Sequence, residues 1–330
     1  MTLQELGEFG LIERLMLSVT HLLPAGVEGI GDDCAVIPYF NDHSLLITTD
    51  TLVENVHFTL DTITPLDLGY KSLAVNLSDI AAMGGEPLYA FLSLSLPPET
   101  SLKWIDQYNQ GFLQLAKENR TFLLGGDTTR AKELTITVTL VGQIANPYIK
   151  RRSQAKPGDF ICCTGFLGDS GAGLHLLLHH EMNHPLIEAH VRPRLYLKEG
   201  QWLAQQTSVH AMMDISDGIA SDLKHIMKAS HCGAELNINQ LPISADLKQM
   251  ALKMNGLAED FALHAGEDYC LLLTIDKEDY ARLSQAYEAH FKTPLFLLGT
   301  MTEGQKLICF KDGKKLSLTK QGFDHFKILI

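Results

Sequence analysis

"GIGDDCAVI", residues 29–37, sets two adjacent carboxylates, Asp32 and Asp33, between a glycine turn and an apolar run that reads as a strand. A carboxylate in apolar surroundings is expensive unless something positive sits beside it. No Lys or Arg follows nearby. The partner is therefore solvent, a distant base, or a metal ion, and the rest of the chain has to say which.

Further acids occupy similar places. Asp50 ends the apolar run "LLITTD", Asp79 lies inside "AVNLSDIAAMGG", and Asp127 follows "FLLGG". Asp214 and Asp217 bracket "DISDG" at a strand-to-helix turn. Any one of them is explained as a helix cap or turn residue. Five such places in one chain strain that explanation. Taken together they suit hard divalent cations bound through oxygen, with Thr48 and Thr49 beside Asp50 adding hydroxyl or carbonyl oxygens. Mg²⁺ typically combines carboxylates with substrate phosphates, which points to nucleotide triphosphate chemistry. The glycines of "GGD" would let backbone N–H groups come close to a phosphate. On this reading Asp32 and Asp33 are tolerated because Mg²⁺ sits against at least one of them.

Composition fits a globular enzyme. The 330 residues suit two domains of about 150 residues each. The hydrophobic fraction is 45% and the charged fraction 20%, as in soluble globular proteins. A formal charge of −12 repels nucleic acid and requires cations wherever an anionic substrate binds. None of the six cysteines forms a Cys-x-x-Cys pair. With no secretory pattern at "MTLQELGEFGLIERL" they read as reduced thiols of a cytoplasmic protein. No apolar run approaches a membrane span.

Strand-like and helix-like segments alternate, which favours an α/β or α+β class. Helical spacing predicts an apolar stripe of Phe9, Ile12, Leu15, Met16 and Val19, and another of Leu102, Ile105, Phe112 and Ala116. "SLLITTD" is expected as a buried strand, and "LGYKSLAVNLSDIAAMG" as an apolar helix stopped by Gly84 and Gly85. The polar, basic segment "NPYIKRRSQAKPGD" divides the chain near residue 148, giving domains 1–148 and 149–330. Within it "RRS", residues 151–153, is either a solvated linker or a source of an Arg that reaches a phosphate.

Other motifs are weaker. There is no Walker A pattern and no Gly-x-Gly-x-x-Gly, and "TGFLGDSGAG" lacks dinucleotide-binding spacing. "HEMNH", residues 180–184, matches the zincin pattern, but Pro185 disfavours helix at His184, so a helix end is expected there.

"GIGDDCAV", "TTDTLVENVHF", "YKSLAVNLSDIAAMG", "LLGGDTTR", "AKPGD", "DISDG", "GEDY" and "GFDHF" occur in that order from end to end. The set resembles the thiamine-monophosphate kinase family, in the superfamily of aminoimidazole-ribonucleotide synthetase and selenophosphate synthetase. The resemblance implies a two-domain α/β fold and a homodimer whose N-terminal sheets pair. It implies ATP and several Mg²⁺ ions between the domains, and ATP-dependent phosphorylation of thiamine monophosphate to thiamine diphosphate. By motif match the metal ligands would be Asp33, Asp50, Asp79, Asp127, Asp214 and Asp217, helped by Thr48 and Thr49, with Asp32 behind them. Gly126, Asp127, Arg152 and Ser216 would touch ATP; His57, Glu267 and Phe323 would touch thiamine monophosphate. An aromatic face at Phe323 suits a cationic thiazolium, Glu267 would add negative charge or a hydrogen-bond acceptor, and His57 could donate to phosphate.

This chain departs from the pattern at Ala265, where Gly is expected, and at Cys270, where Glu is common. The acceptor would already be an anionic phosphate oxygen, so direct in-line transfer without a general base or phosphoenzyme is expected. The alternatives are a selenophosphate-synthetase-like enzyme, whose N-terminal Cys/Lys loop "MTLQELGEFG" lacks, and a non-catalytic nucleotide- and metal-binding regulator.

Overall fold

The computed structural model describes residues 2–316. Two short helices, α1 (Leu3–Leu6) and α2 (Glu8–Val19), precede the first sheet. Its strands are β1 (Ala35–Pro38), β2 (His43–Val53), β3 (Glu86–Leu96), β4 (Phe122–Arg130) and β5 (Thr135–Ala145), in the order β1-β2-β5-β3-β4. Helices α3 (Pro65–Ala82) and α4 (Leu102–Glu118) connect them. All pairs are antiparallel except β3 with β4, whose parallel pairing needs the crossover that α4 supplies.

The second sheet has the order β12-β11-β8-β10-β6-β9-β7. Its strands are β6 (Phe160–Cys163), β7 (Val209–Asp214), β8 (Gly233–Asn237), β9 (Leu271–Ile275), β10 (Phe296–Thr302), β11 (Leu307–Lys311) and β12 (Lys314–Leu316). Around it lie α5 (Asp169–Leu178), α6 (Pro185–Val191), α7 (Leu197–Ala204), α8 (Ile219–Ser230), α9 (Ala245–Lys253), α10 (Ala258–His264) and α11 (Tyr280–Phe291).

Helix α3 joins the two halves. Thr64 caps its N-terminus by accepting the Asp67 N–H at 3.2 Å, Pro65 opens its first turn, and Gly84, at φ 79, lies just past its end. Thirteen of its 18 residues are buried. It packs on α4, β2 and β5 on one side and on α7 and β7 on the other, so both halves share one apolar core. A smaller cluster holds α5, α6 and α9 together.

Three expectations change in detail. β2 is not buried on both faces but alternates, which places Thr48 and Asp50 on the side opposite Thr49. The α4 stripe is centred on Tyr108, Phe112 and Leu115, whereas Leu102, at the helix start, is 80% exposed. Helix α2 has the predicted period, but none of its residues is buried.

The α3–α4 contact depends on two glycines. A Cβ on Gly69 would stand 2.0 Å from the Tyr108 carbonyl oxygen, and one on Gly111 1.8 Å from that of Leu66. The backbones meet where no side chain fits. Gly111→Ala should therefore cost about 1–3 kcal/mol of stability. Urea unfolding of the variant checks this; an unchanged midpoint would show that the helices can separate freely.

Candidate functional site

The carboxylates converge where α3 crosses between the sheets. Asp33, Asp79 and Asp214 each offer an oxygen within 4.8 Å of the other two. Asp33 comes from the loop before β1, Asp79 from the last turn of α3, and Asp214 from the end of β7. Asp50, on β2, joins them closely enough that its charge raises the Asp79 carboxyl. Hydroxyls complete the shell: Thr48 donates to Asp79, and Ser78 donates to Asp214 at 2.6 Å.

A distant base does answer Asp32 and Asp33. Arg152 reaches back across 119 residues and donates from Nη2 to Asp33 Oδ1 at 2.6 Å and from Nε to Oδ2 at 3.4 Å. Its backbone N–H donates to Asp32 at 3.2 Å. Its neighbour Arg151 forks onto Glu28 at 2.6 and 2.7 Å. The basic segment is thus neither a free linker nor a free arginine; it clamps the loop that carries the first acids.

One arginine does not balance the cluster. Burial raises Asp32 to about 7, helped by the adjacent charge of Asp33. Burial likewise lifts Asp214 to about 7, again with Asp33, and Asp50 to about 6. Asp79 is pushed up by burial and by Asp50, Asp214 and Asp33 together. Oxygen-only donors, mutual repulsion and confinement form a donor set that fits a hard divalent cation.

The remaining predicted residues are dispersed around this centre. Asp217 forms a second group with Asp222 and His225, all within 4.8 Å, and its N–H donates to the Asp222 carboxylate at 3.1 Å. The Thr49 hydroxyl lies 3.1 Å from that of Thr139, on the far face of β2, so of the two oxygens expected to serve the metal its carbonyl is the one left. Gly126 and Asp127 lie inside edge strand β4, not at its end, and Asp127 is exposed. A Cβ at Gly126 would fall 1.7 Å from the Leu92 carbonyl oxygen, so only glycine fits there. The Ser216 carbonyl accepts the Glu267 N–H at 2.7 Å. The His57 Nδ1 accepts the Val53 N–H at 3.0 Å. Phe323 lies outside the described residues.

Asp222, Lys71 and His190 were not singled out from sequence. Lys71 offered a signal, since an ammonium in mid-helix among apolar residues must find a partner when buried. The zincin-like motif dissolves: α5 ends at Leu178, His180 turns at φ 60, and His184 caps α6.

Residues 31–144 match the family model described as AIR synthase related protein, N-terminal domain, and residues 156–312 its C-terminal domain. The chain is 39% identical to thiamine-monophosphate kinase of Escherichia coli (strain K12), over 97% of this chain and 98% of that one. It is 38% identical to the enzyme of the same name from Buchnera aphidicola subsp. Schizaphis graminum, over 98% and 99%. A solved structure described as AaThiL complexed with AMPPCP and TMP superposes with a TM-score of 0.86 and 34% identity, covering 98% of this chain and 99% of that one.

The raised acids set a pH dependence. Asp32, Asp50 and Asp214 keep protons in the folded chain up to about 6 to 7, but lose them near 3.8 when unfolded. The folded state therefore binds more protons across that window, and stability falls as pH rises through it. Metal-free protein should melt lower at pH 7.5 than at pH 5, and MgCl₂ should narrow the gap. Scanning fluorimetry with and without Mg²⁺ checks both; a melting temperature that rises with pH would contradict the assignment.

Proposed function

Because the chain belongs to the AIR synthase related family and stands among its thiamine-monophosphate kinases, we infer that it transfers the γ-phosphoryl group of ATP to thiamine monophosphate, giving thiamine diphosphate and ADP. Nearly full-length identity to kinases of that name carries this reading. The complex with AMPPCP and TMP of a 34% identical relative supports the same pair of ligands.

The acceptor in this reaction is a phosphate oxygen that is already nucleophilic. No general base is required, and transfer is direct and in line. The obstacle is the approach of two polyanions to an acidic protein. Asp33, Asp50, Asp79 and Asp214 hold Mg²⁺, with the Thr48 and Ser78 hydroxyls orienting two of the carboxylates; the convergence of three acids within 4.8 Å supports this set. Bound there, the ions supply charge neutralisation to the phosphates. Asp217 belongs to a further ion, with Asp222 holding its backbone. Arg152 fixes the Asp33 loop and, at a fifth exposed, keeps part of its guanidinium open toward ATP, where Gly126, Asp127 and Ser216 also belong. His57, Glu267 and Phe323 face thiamine monophosphate.

The domains are 1–148 and 149–330, and the protein works as a cytoplasmic homodimer without nucleic-acid or membrane partners. Edge strand β4 supports the dimer: with β3 it exposes Phe122, Leu124, Tyr89 and Phe91 along an unpaired sheet border. Six buried free thiols support a reducing compartment. Among the described residues no helix is long and apolar enough to cross a membrane.

Phosphorus NMR of protein, ATP and Mg²⁺ tests the reaction. Thiamine diphosphate signals should appear with thiamine monophosphate and not with thiamine; ADP and free phosphate alone would indicate a sibling reaction. Asp50→Asn should cut kcat by about 10²-fold or more while the variant still melts cooperatively. Wild-type turnover in that variant would remove Asp50 from the site. Leu124→Asp should shift the mass in light scattering from dimer toward monomer.

A further inference from the structure

Lys71, in mid-helix, is 1% exposed. A buried ammonium alone is costly. Its Nζ donates to Glu267 at 3.1 and 3.2 Å and to His190 Nε2 at 3.4 Å. With Nε2 accepting, the proton of a neutral His190 sits on Nδ1, which lies 3.2 Å from Glu267 Oε2 and 3.2 Å from Ser170 Oγ. The three groups form a closed set, joined across 196 residues of chain.

Glu267 has φ 64 and Tyr269 φ 49, the left-handed region that non-glycine residues avoid. Each such residue is strained and persists only where its surroundings over-determine it. They do so here on three sides. The Glu267 N–H donates to Ser216 O at 2.7 Å and the Tyr269 N–H to Ile215 O at 2.8 Å. The Asp268 carboxylate accepts the Gly168 and Ser170 N–H groups at 2.7 and 3.3 Å. The third side is Lys71. That lysine lies on the same helix as Ser78 and Asp79, about 12 Å along the axis from the latter. One rigid helix thus touches the carboxylate cluster at one end and the loop 266–270 at the other.

We propose that Lys71 and His190 are positioning residues, which hold the Glu267 carboxylate as an oriented hydrogen-bond acceptor and set loop 266–270 at a fixed place relative to the metal-binding end of α3. The assignment rests on the kinase reading above. It also chooses between the two roles expected of Glu267: with its negative charge matched by Lys71, Glu267 meets the substrate as an acceptor in a fixed direction and not as the counter-charge of a thiazolium.

The test compares wild type, Lys71→Met, the neutral pair Lys71→Met/Glu267→Gln, and His190→Gln. Steady-state kinetics, calorimetric binding of thiamine monophosphate and melting temperature are measured for each. Lys71→Met should raise KM for thiamine monophosphate roughly ten- to hundredfold, while KM for ATP stays within about a factor of two. It should also introduce a loss of affinity toward acid pH. Glu267, a quarter exposed, is then left with His190 and His57 as facing bases and with Asp268, which burial raises to about 8 and keeps protonated at neutral pH, and without the ammonium it protonates more readily. The neutral pair should recover the melting temperature but not the wild-type KM. His190→Gln keeps one donor and one acceptor and should lie between.

An unchanged KM for thiamine monophosphate in Lys71→Met overturns the proposal. So does full recovery of KM together with stability in the neutral pair, which would make Lys71 a structural residue only. Where Lys71→Met fails to fold, the neutral pair and His190→Gln decide on the same criteria. A wild-type protein that makes no thiamine diphosphate would instead remove the kinase reading and leave the calorimetric comparison standing.

Discussion

Four aspartates confined near the end of one helix repel one another, and each resists losing its water. Most of the polar architecture answers that one constraint. Arg152 is brought back from the second half of the chain onto Asp33. Thr48 and Ser78 donate to Asp79 and Asp214, and burial with mutual repulsion raises Asp50 and Asp79. A single guanidinium cannot neutralise such a group. The cluster is therefore stable as protonated acids or as acids around cations, and less so as bare anions. This explains how an acidic protein can attract a nucleotide: the phosphates meet cations that the acids have gathered, not the acids themselves.

Helix α3 turns that local arrangement into a global one. Its burial between α4 and the second half places both halves against one core. Polar ties then fix its register. Asp67 pairs with Arg192 at 2.7 Å, Arg192 lies over the Tyr70 ring at 5.2 Å, and the Tyr70 hydroxyl donates to Pro193 O at 3.2 Å. These contacts, with Lys71, fall within the first two turns of the helix, while Ser78 and Asp79 sit near its end. A sliding of α3 by one residue would break both sets together, so the distance between the two ligand-facing ends is held by a rigid body and not by loops.

What could be read from sequence follows from how local each signal is. The long elements were legible from period and caps, and the set of acids from its repetition. Pairings across the chain were not. Nothing near Asp33 names Arg152, and nothing near Glu267 names Lys71, because those choices are made by the packing of α3 and the returning basic segment. Short elements such as α6, α7, α9 and α10 carry too few turns to show a period. The glycines of "FLLGGD" read as a strand end, yet Gly126 lies within β4, where its missing side chain also lets the strand approach the Leu92 carbonyl. Strand alternation, which a seven-residue reading of β2 did not resolve, turned the Thr49 side chain away from its expected partners.

The protonation state of the cluster has a consequence for loading. An acid raised to about 6 or 7 is partly protonated at neutral pH, so a divalent cation that binds there displaces those protons, and loading strengthens as pH rises. A cluster of ordinary exposed carboxylates would be fully ionised and fully hydrated instead, and binding would have to strip that water. Burial has removed the water in advance, at the expense of folding stability. The cation then returns that stability on binding, because it binds the folded chain and not the dispersed acids of the unfolded one. Metal occupancy and the integrity of the contact between the two halves are therefore linked through the same few oxygens of Asp33, Asp79 and Asp214.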